Sequence, residues 1–359
     1  MDKHVCEFGS EYDWASNSAF WLPAGTHGSA FSVAQKYRSG RDALKAVAKA
    51  CKGSHSRVLL PALCCESMVD PFVVHGITPV FYRLNEDYTA DTEDVIRKLT
   101  ADSILLYVPY FGIAPFEKKT LQKIRLEFDQ VLFLEDRTQD IFNLRPDRFV
   151  PDVTIVSIRK WMAIPDGGIL WSNGMRFENG HREETFAKLR TEAMHNKSVY
   201  LSTGEPERKK IFRQMLGEAS ELLDASAEPV AMTEESARLL DRLDLEKIFH
   251  HRQENVRALE TALMPALHNG KLQAVTDKPE RSTLYYPVIT DEQSRLQGQL
   301  AERGIYCPVI WPLPEAAKGV CPVADYTASH MLAIPCDHRY TPEEMAYIGS
   351  EIVRVCNEL

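Results

Sequence analysis

The sequence predicts an α/β protein, with a large domain built on a mainly parallel sheet flanked by helices and a smaller α+β domain after it. Three observations point there. Strand-like and helix-like patterns alternate from Gly40 to about Trp171. QVLFLED (130–136) and DVTIVSI (152–158) are near-continuous apolar runs, as parallel strands buried on both faces require. Beyond about Met175 the chain turns polar and helical before strand patterns return near Leu284.

Taken in order, the residues before about Tyr37 carry no clear period. Arg41 to Cys51 places Ala43, Leu44, Val47, Ala48 and Cys51 on one helical face, with Gly53 as a stop. RVLLPAL (57–63) and TPVFYRL (78–84) read as strands, Asp91 caps a short helix to Leu99, and ILLYVPYFG (104–112) is a strand entering a glycine turn. Pro115 to Phe128 is amphipathic; a loose stretch falls near Tyr200 to Glu207, and one long helix is expected from Glu234 to Leu263. LYYPVIT (strand), Asp291–Arg303 (helix) and IYCPVIWP (strand) follow. The last helix opens TPEE, with Thr341 as cap, Pro342 in the first turn and Glu344 completing a capping box. The domains expected are 36–225 and 226–359, with 1–35 packing on either or on a partner subunit.

Bulk properties narrow the partners. The chain has 359 residues, 44% hydrophobic and 26% charged, enough for a sizeable core. A net charge of −9 without long runs of one sign speaks against nucleic acid or an anionic membrane and for a small ligand. No apolar run approaches the roughly 20 residues of a membrane span. MDKHVCEFGSEYDW lacks an apolar signal segment, so a cytoplasmic protein is expected. The eight cysteines are scattered, without C-x-x-C, which predicts reduced thiols and neither a disulfide framework nor a metal site. His250 and His251 lie on a polar helix without partners at ligand spacing and read as solvated.

Three features carry chemistry. Ser39-Gly40-Arg41 opens a helix, where unpaired N–H groups favour a phosphate. LEDRTQ (134–139) sets Asp136 at the carboxyl end of a buried strand, the edge where open parallel sheets bind ligands. Ser157-Ile158-Arg159-Lys160 ends the next strand, in an apolar neighbourhood of Trp161, Met162 and Ile164 that suits a Schiff-base amine. Each alone has an ordinary explanation: a helix cap, a turn cap, a solvated lysine. Together, a phosphate cradle, a carboxylate and a lysine on successive strand ends are what pyridoxal 5′-phosphate (PLP) requires.

Position by position the chain resembles the DegT/DnrJ/StrS group of fold-type-I PLP-dependent aminotransferases. S-G-R-D-A-L (39–44) resembles its S-G-T-x-A-L phosphate turn, V-L-L-P-A-L (58–63) its strand into the cofactor-stacking loop, and H-G-I-T-P-V-F (75–81) its G-x-x-P-V-F segment. E-D-R-T-Q (135–139) is similar to E-D-x-x-Q, which implies that Asp136 pairs the pyridinium nitrogen and Gln139 meets the ring's phenolic oxygen. Lys160 precedes Gly167 at the spacing of K-x-x-x-x-G-E-G-G. There are departures: Ile155 and Ser157 stand in place of the family's S-F-H pattern, Cys64, Cys65 and Glu66 occupy the stacking region, and Ala231–Ser236 has no match to N-Y-R.

The resemblance implies a two-fold homodimer sharing its active sites. It also implies transfer of an amino group from an amino acid (Glu or Gln) to a keto or aldehyde group of a small metabolite, a keto sugar among the candidates, through a Lys160 Schiff base. Ser39, Gly40, Arg41, Cys64, Cys65, Gln139 and Ser157 would hold the cofactor. Tyr110, Arg159, Trp311 and Arg339 are the candidate substrate contacts. A PLP-dependent lyase or decarboxylase, and a PLP-fold regulatory protein without turnover, are the alternatives.

Overall fold

The computed structural model describes residues 5, 7–23, 25, 26, 28, 30–142, 148–278 and 284–359. Its centre is a seven-stranded sheet. β3 (Arg57–Pro61), β4 (Thr78–Tyr82), β5 (Ser103–Tyr107), β6 (Leu132–Asp136) and β7 (Val153–Val156) run parallel, in the order β7-β6-β5-β3-β4. The edge beyond β7 is completed by β8 (Gly168–Ser172), antiparallel to β7, and β2 (Gln35–Tyr37), antiparallel to β8. Every residue of β5, β6 and β7 is buried, so these apolar strands are covered on both faces. Helices α1 (Gly40–Cys51), α2 (Glu66–Val73), α3 (Thr92–Lys98) and α4 (Lys118–Glu127) supply the crossovers.

The second core lies in the C-terminal part. β10 (Tyr285–Ile289) pairs antiparallel with both β12 (Met331–Pro335) and the short β9 (Gln273–Ala274). α8 (Leu245–His268), α9 (Gln293–Glu302) and α11 (Pro342–Glu358) pack their apolar faces on it through Leu259, Leu263, Leu296, Ile348 and Ile352. The capping box expected at Thr341 and Glu344 is formed.

Three expectations are corrected. The single helix over 234–263 is two, α7 (Glu234–Asp241) and α8, because the chain at Arg242–Asp244 pairs with the N-terminal segment: Leu22 N–H donates to the Arg242 carbonyl and Asp244 N–H to that of Phe20. Asp244 then caps α8 through the Lys247 N–H. The loose stretch near 200–207 is a tight corner, with Gly204 at φ +73° turning α5 (Thr185–Thr203) into α6 (Pro206–Asp224). IYCPVIWP forms a strand only at β11 (Ile305–Tyr306).

The N-terminal segment, which has no period of its own, crosses both cores. Its β1 (Phe8–Gly9) pairs in parallel with β11, and Phe8 enters the C-terminal core. Phe20 and Phe31 pack beside Trp161 and Met162, beneath the carboxyl end of β7.

Candidate active site

The carboxyl ends of β6 and β7 are neighbours, so the topology alone sets Asp136 beside the Ser157–Lys160 turn. Both line a cavity of about 120 Å³ together with Ser39, Gly40, Arg41, Cys65, Met68, Gln139, Arg159 and Trp311. Thr138, Gln139, Arg159, Lys160 and Trp311 also border an adjoining cleft of about 710 Å³ that reaches Glu11, Tyr12, Tyr285 and Arg339. A deep pocket for one group thus opens into a wider one for another.

The phosphate-type turn is built by close approach. Ser39 caps α1, its hydroxyl accepting the Asp42 N–H at 3.1 Å and donating to the Asp42 carboxylate at 2.6 Å. A Cβ at Gly40 would lie 3.0 Å from the Ser157 Cβ, and one at Gly168 only 2.0 Å from the Ser39 carbonyl oxygen. Glycine at both places lets β7 and β8 come up against the first turn of α1, which brings its free N–H groups to the cavity.

Thr138 ties the site together. Its N–H donates to the Asp136 carboxylate (2.8 Å), its hydroxyl accepts the Ser157 N–H (3.0 Å), and its carbonyl accepts the Trp161 indole N–H (2.8 Å). The fully buried Arg252 of α8 then donates to the Trp161 carbonyl (2.8 Å) and the Tyr12 hydroxyl (2.7 Å). The backbone on both sides of Lys160 is therefore fixed while its side chain is left free. Lys160 is half-buried, and nothing among the described residues hydrogen-bonds its amine.

The polar groups facing the cavity fit a cationic, phosphate-bearing ring. Asp136 is 7% exposed, and burial, opposed by the Thr138 bonds and the Lys160 charge, raises its carboxyl above the ordinary range. A cationic ring nitrogen is the partner that would restore the anion. The Gln139 amide accepts the Phe111 N–H (3.3 Å) through its oxygen, but its buried Nε2 lacks a hydrogen-bond partner among the described residues. An acceptor such as a phenolic oxygen suits it.

The sequence candidates divide. Ser39, Gly40, Arg41, Cys65, Asp136, Gln139, Ser157, Arg159, Lys160 and Trp311 line the small cavity. Cys64 does not: it is packed wholly into the sheet's core, and Cys65 with Met68 faces the site instead. Tyr110 is buried as well, donating its hydroxyl to the Leu63 carbonyl behind Trp311 and lining neither pocket. Arg339 borders the cleft, yet its guanidinium is held by Asp337 through two 2.7 Å bonds and by the Glu11 carbonyl at 3.0 Å. It anchors the N-terminal segment and offers no free fork to a substrate. Thr138, Met68, Glu11, Tyr12 and Tyr285 were missed. Thr138 lay inside a recognised motif, whereas Glu11 and Tyr12 carried no local signal.

A lysine amine and a buried carboxylate on adjacent strand ends, with a glycine-dependent helix start alongside, define the class of PLP-dependent enzymes of fold type I. Within that class the chain belongs to the DegT/DnrJ/EryC1/StrS aminotransferase family, whose model matches residues 24–353. Solved structures share the fold. Helicobacter pylori PseC, an aminotransferase of pseudoaminic acid biosynthesis, is 14% identical with a TM-score of 0.63, over 100% of both chains. NtdA from Bacillus subtilis, bound to the cofactor PMP, is 14% identical with a TM-score of 0.65, over 94% of this chain and 79% of that one. DesI, in the presence of its TDP-sugar product, is 16% identical with a TM-score of 0.64, over 90% of this chain and 80% of that one. No curated protein matches the sequence significantly.

Among the described residues there is no cluster of three or more metal-ligating side chains, and no helix is long and apolar enough to cross a membrane.

Proposed function

We propose that this aminotransferase moves the amino group of an amino acid, glutamate or glutamine, to the keto or aldehyde carbon of a sugar-like metabolite. The observation that carries the reading is the shared cavity of Lys160 and Asp136, opening into a cleft several times larger. Bound there, PLP supplies the aldehyde that carries nitrogen and the ring that accepts electrons.

The chain's own groups do the rest. Lys160 Nζ, half-buried and without a hydrogen-bond partner among the described residues, is free to take the proton from the donor's α-carbon and later return one to the acceptor's carbon. Asp136 holds the ring nitrogen protonated. Gln139 Nε2 donates to the phenolic oxygen. Ser39, Gly40, Arg41 and the Ser157 hydroxyl receive the phosphate, and Cys65 with Met68 provides a thiol and thioether surface in place of an aromatic platform. Trp311 and Tyr285 line the acceptor's side of the cleft and limit water there.

Support for a sugar acceptor comes from the family and from relatives such as DesI, and the cleft's mixed aromatic and polar lining suits a polyol. The active unit proposed is a cytoplasmic two-fold homodimer. The test is a pair of half-reactions. Glutamate or glutamine should convert the bound cofactor with one keto acid released per site, and a panel of nucleotide-linked keto sugars should reverse the conversion. Turnover of a donor without stoichiometric keto acid would instead indicate a lyase.

A further inference from the structure

We propose that Arg159, the residue before the reactive lysine, is the cation that binds the phosphate of the pyridoxal cofactor from within the chain; the proposal rests on the PLP reading above. Four arginines crowd the start of α1 and the ring of Phe186. Arg38 lies 5.5 Å, Arg190 5.8 Å and Arg159 5.9 Å from that ring's centre. Three of the four have carboxylates: Arg38 grips Asp42 with two 2.9 Å bonds, Arg190 pairs with Glu11 at 2.8 Å, and Arg41 contacts Asp224. Arg159 has no ion pair among the described residues, and its buried Nε has no hydrogen-bond partner there.

A buried guanidinium that feels Glu11 and Asp42 only at a distance, with three other guanidiniums alongside, is costly unless an anion is expected. Burial first, then the charge of Arg190, brings the Arg159 guanidinium down to about 10, so it stays cationic at neutral pH. Its position picks the anion. Arg159 borders the small cavity with Ser39, Gly40, Arg41 and Ser157, where the free N–H groups of α1 face in. A phosphate dianion there would meet the helix start, the Ser157 hydroxyl and a planar fork that donates to two oxygens at once. The other occupant available is a substrate carboxylate in the wide cleft. That side also holds Glu11, whose carboxylate would repel it.

The test separates phosphate from everything else about the cofactor. Holoenzyme is stripped and titrated back with PLP and with pyridoxal, which lacks the phosphate, in wild type, Arg159→Gln and Arg159→Lys. Cooperative thermal unfolding of the stripped variants, at or above the wild-type midpoint for Arg159→Gln, checks the fold. Arg159→Gln should bind PLP about 10- to 100-fold more weakly, the worth of a charge-assisted bond, with pyridoxal affinity unmoved. Arg159→Lys should recover part of the loss, and inorganic phosphate should protect stripped wild type against unfolding more than Arg159→Gln. Equal PLP affinity in wild type and Arg159→Gln would overturn the proposal, as would a parallel loss for pyridoxal. A raised KM for a dicarboxylate donor with PLP binding intact would give Arg159 to the substrate. If wild type binds neither compound, the cofactor reading itself has failed, and this inference with it.

Discussion

Two sets of charged and polar groups in this molecule are arranged in opposite ways. On the C-terminal side Arg339 and Asp337 satisfy each other through two bonds, and Glu7 is paired with both Lys197 (3.3 Å) and Lys209 (2.9 Å). On the sheet side Lys160, Gln139 Nε2 and Arg159 Nε have no such partners among the described residues, and Asp136 has Thr138 and the Lys160 charge beside it but no ion pair there. The first set is finished and holds the N-terminal segment against the cleft. On the reading proposed above, the second is completed by a ligand that brings a cation, an acceptor and an anion together. Burying polar groups without partners costs stability, so a protein that keeps several in one cavity is built around what fills it.

The contrast is open to attack, beginning where the effect should be largest. Lys160→Ala should leave folding intact while lowering turnover by at least about 10²–10⁴-fold, the usual contribution of a positioned proton carrier. Steady-state rates of the purified variant check this, and added methylamine, which can stand in for the lost amine, should restore part of the activity. Arg339→Ala should do the reverse. It leaves the Asp337 carboxylate buried without its fork, which typically costs about 3–5 kcal/mol, so chemical denaturation should show a large loss. Wild-type stability in that variant would dissolve the distinction between the two sides.

Asp136→Asn should be smaller and two-faced. In the cofactor-free protein the Asp136 carboxyl titrates above its unfolded range because burial disfavours the anion. An acid raised by folding leaves stability unaffected below its unfolded value and lowers it as pH climbs past that value. Cofactor-free Asp136→Asn should therefore gain on wild type as pH rises above about 4, the unfolded carboxylate value, in denaturation experiments. The holoenzyme should lose about 10²–10³-fold in turnover, as when one preorganised charge is removed. Trp161→Phe is the mildest test. It leaves the buried Thr138 carbonyl without its indole donor, and about 1–3 kcal/mol of stability should go with modest effects on rate.

What could be read from the sequence followed from period and position. The apolar runs of β6 and β7 had to be central strands, and that placed Asp136 and Lys160 at one edge before any contact was known. The helix start at Ser39 was legible because capping is a local affair. Long-range geometry was not. Nothing local distinguishes Cys64, which turns into the core, from Cys65, which faces the site. Tyr110 sat in the right strand end, but its hydroxyl is taken by the Leu63 carbonyl. Arg339 is a candidate substrate contact by sequence, but its fork is taken by the carboxylate of its neighbour Asp337. The N-terminal segment was silent because it is ordered by pairing with β11 and Arg242, far along the chain.

Reduction of the holoprotein with borohydride, followed by peptide mapping, tests the central claim most directly. The account predicts one pyridoxyl adduct per chain, on the peptide carrying Lys160, and none in Lys160→Ala. An adduct on a different lysine, or no adduct in a protein that still transfers amino groups, would contradict it.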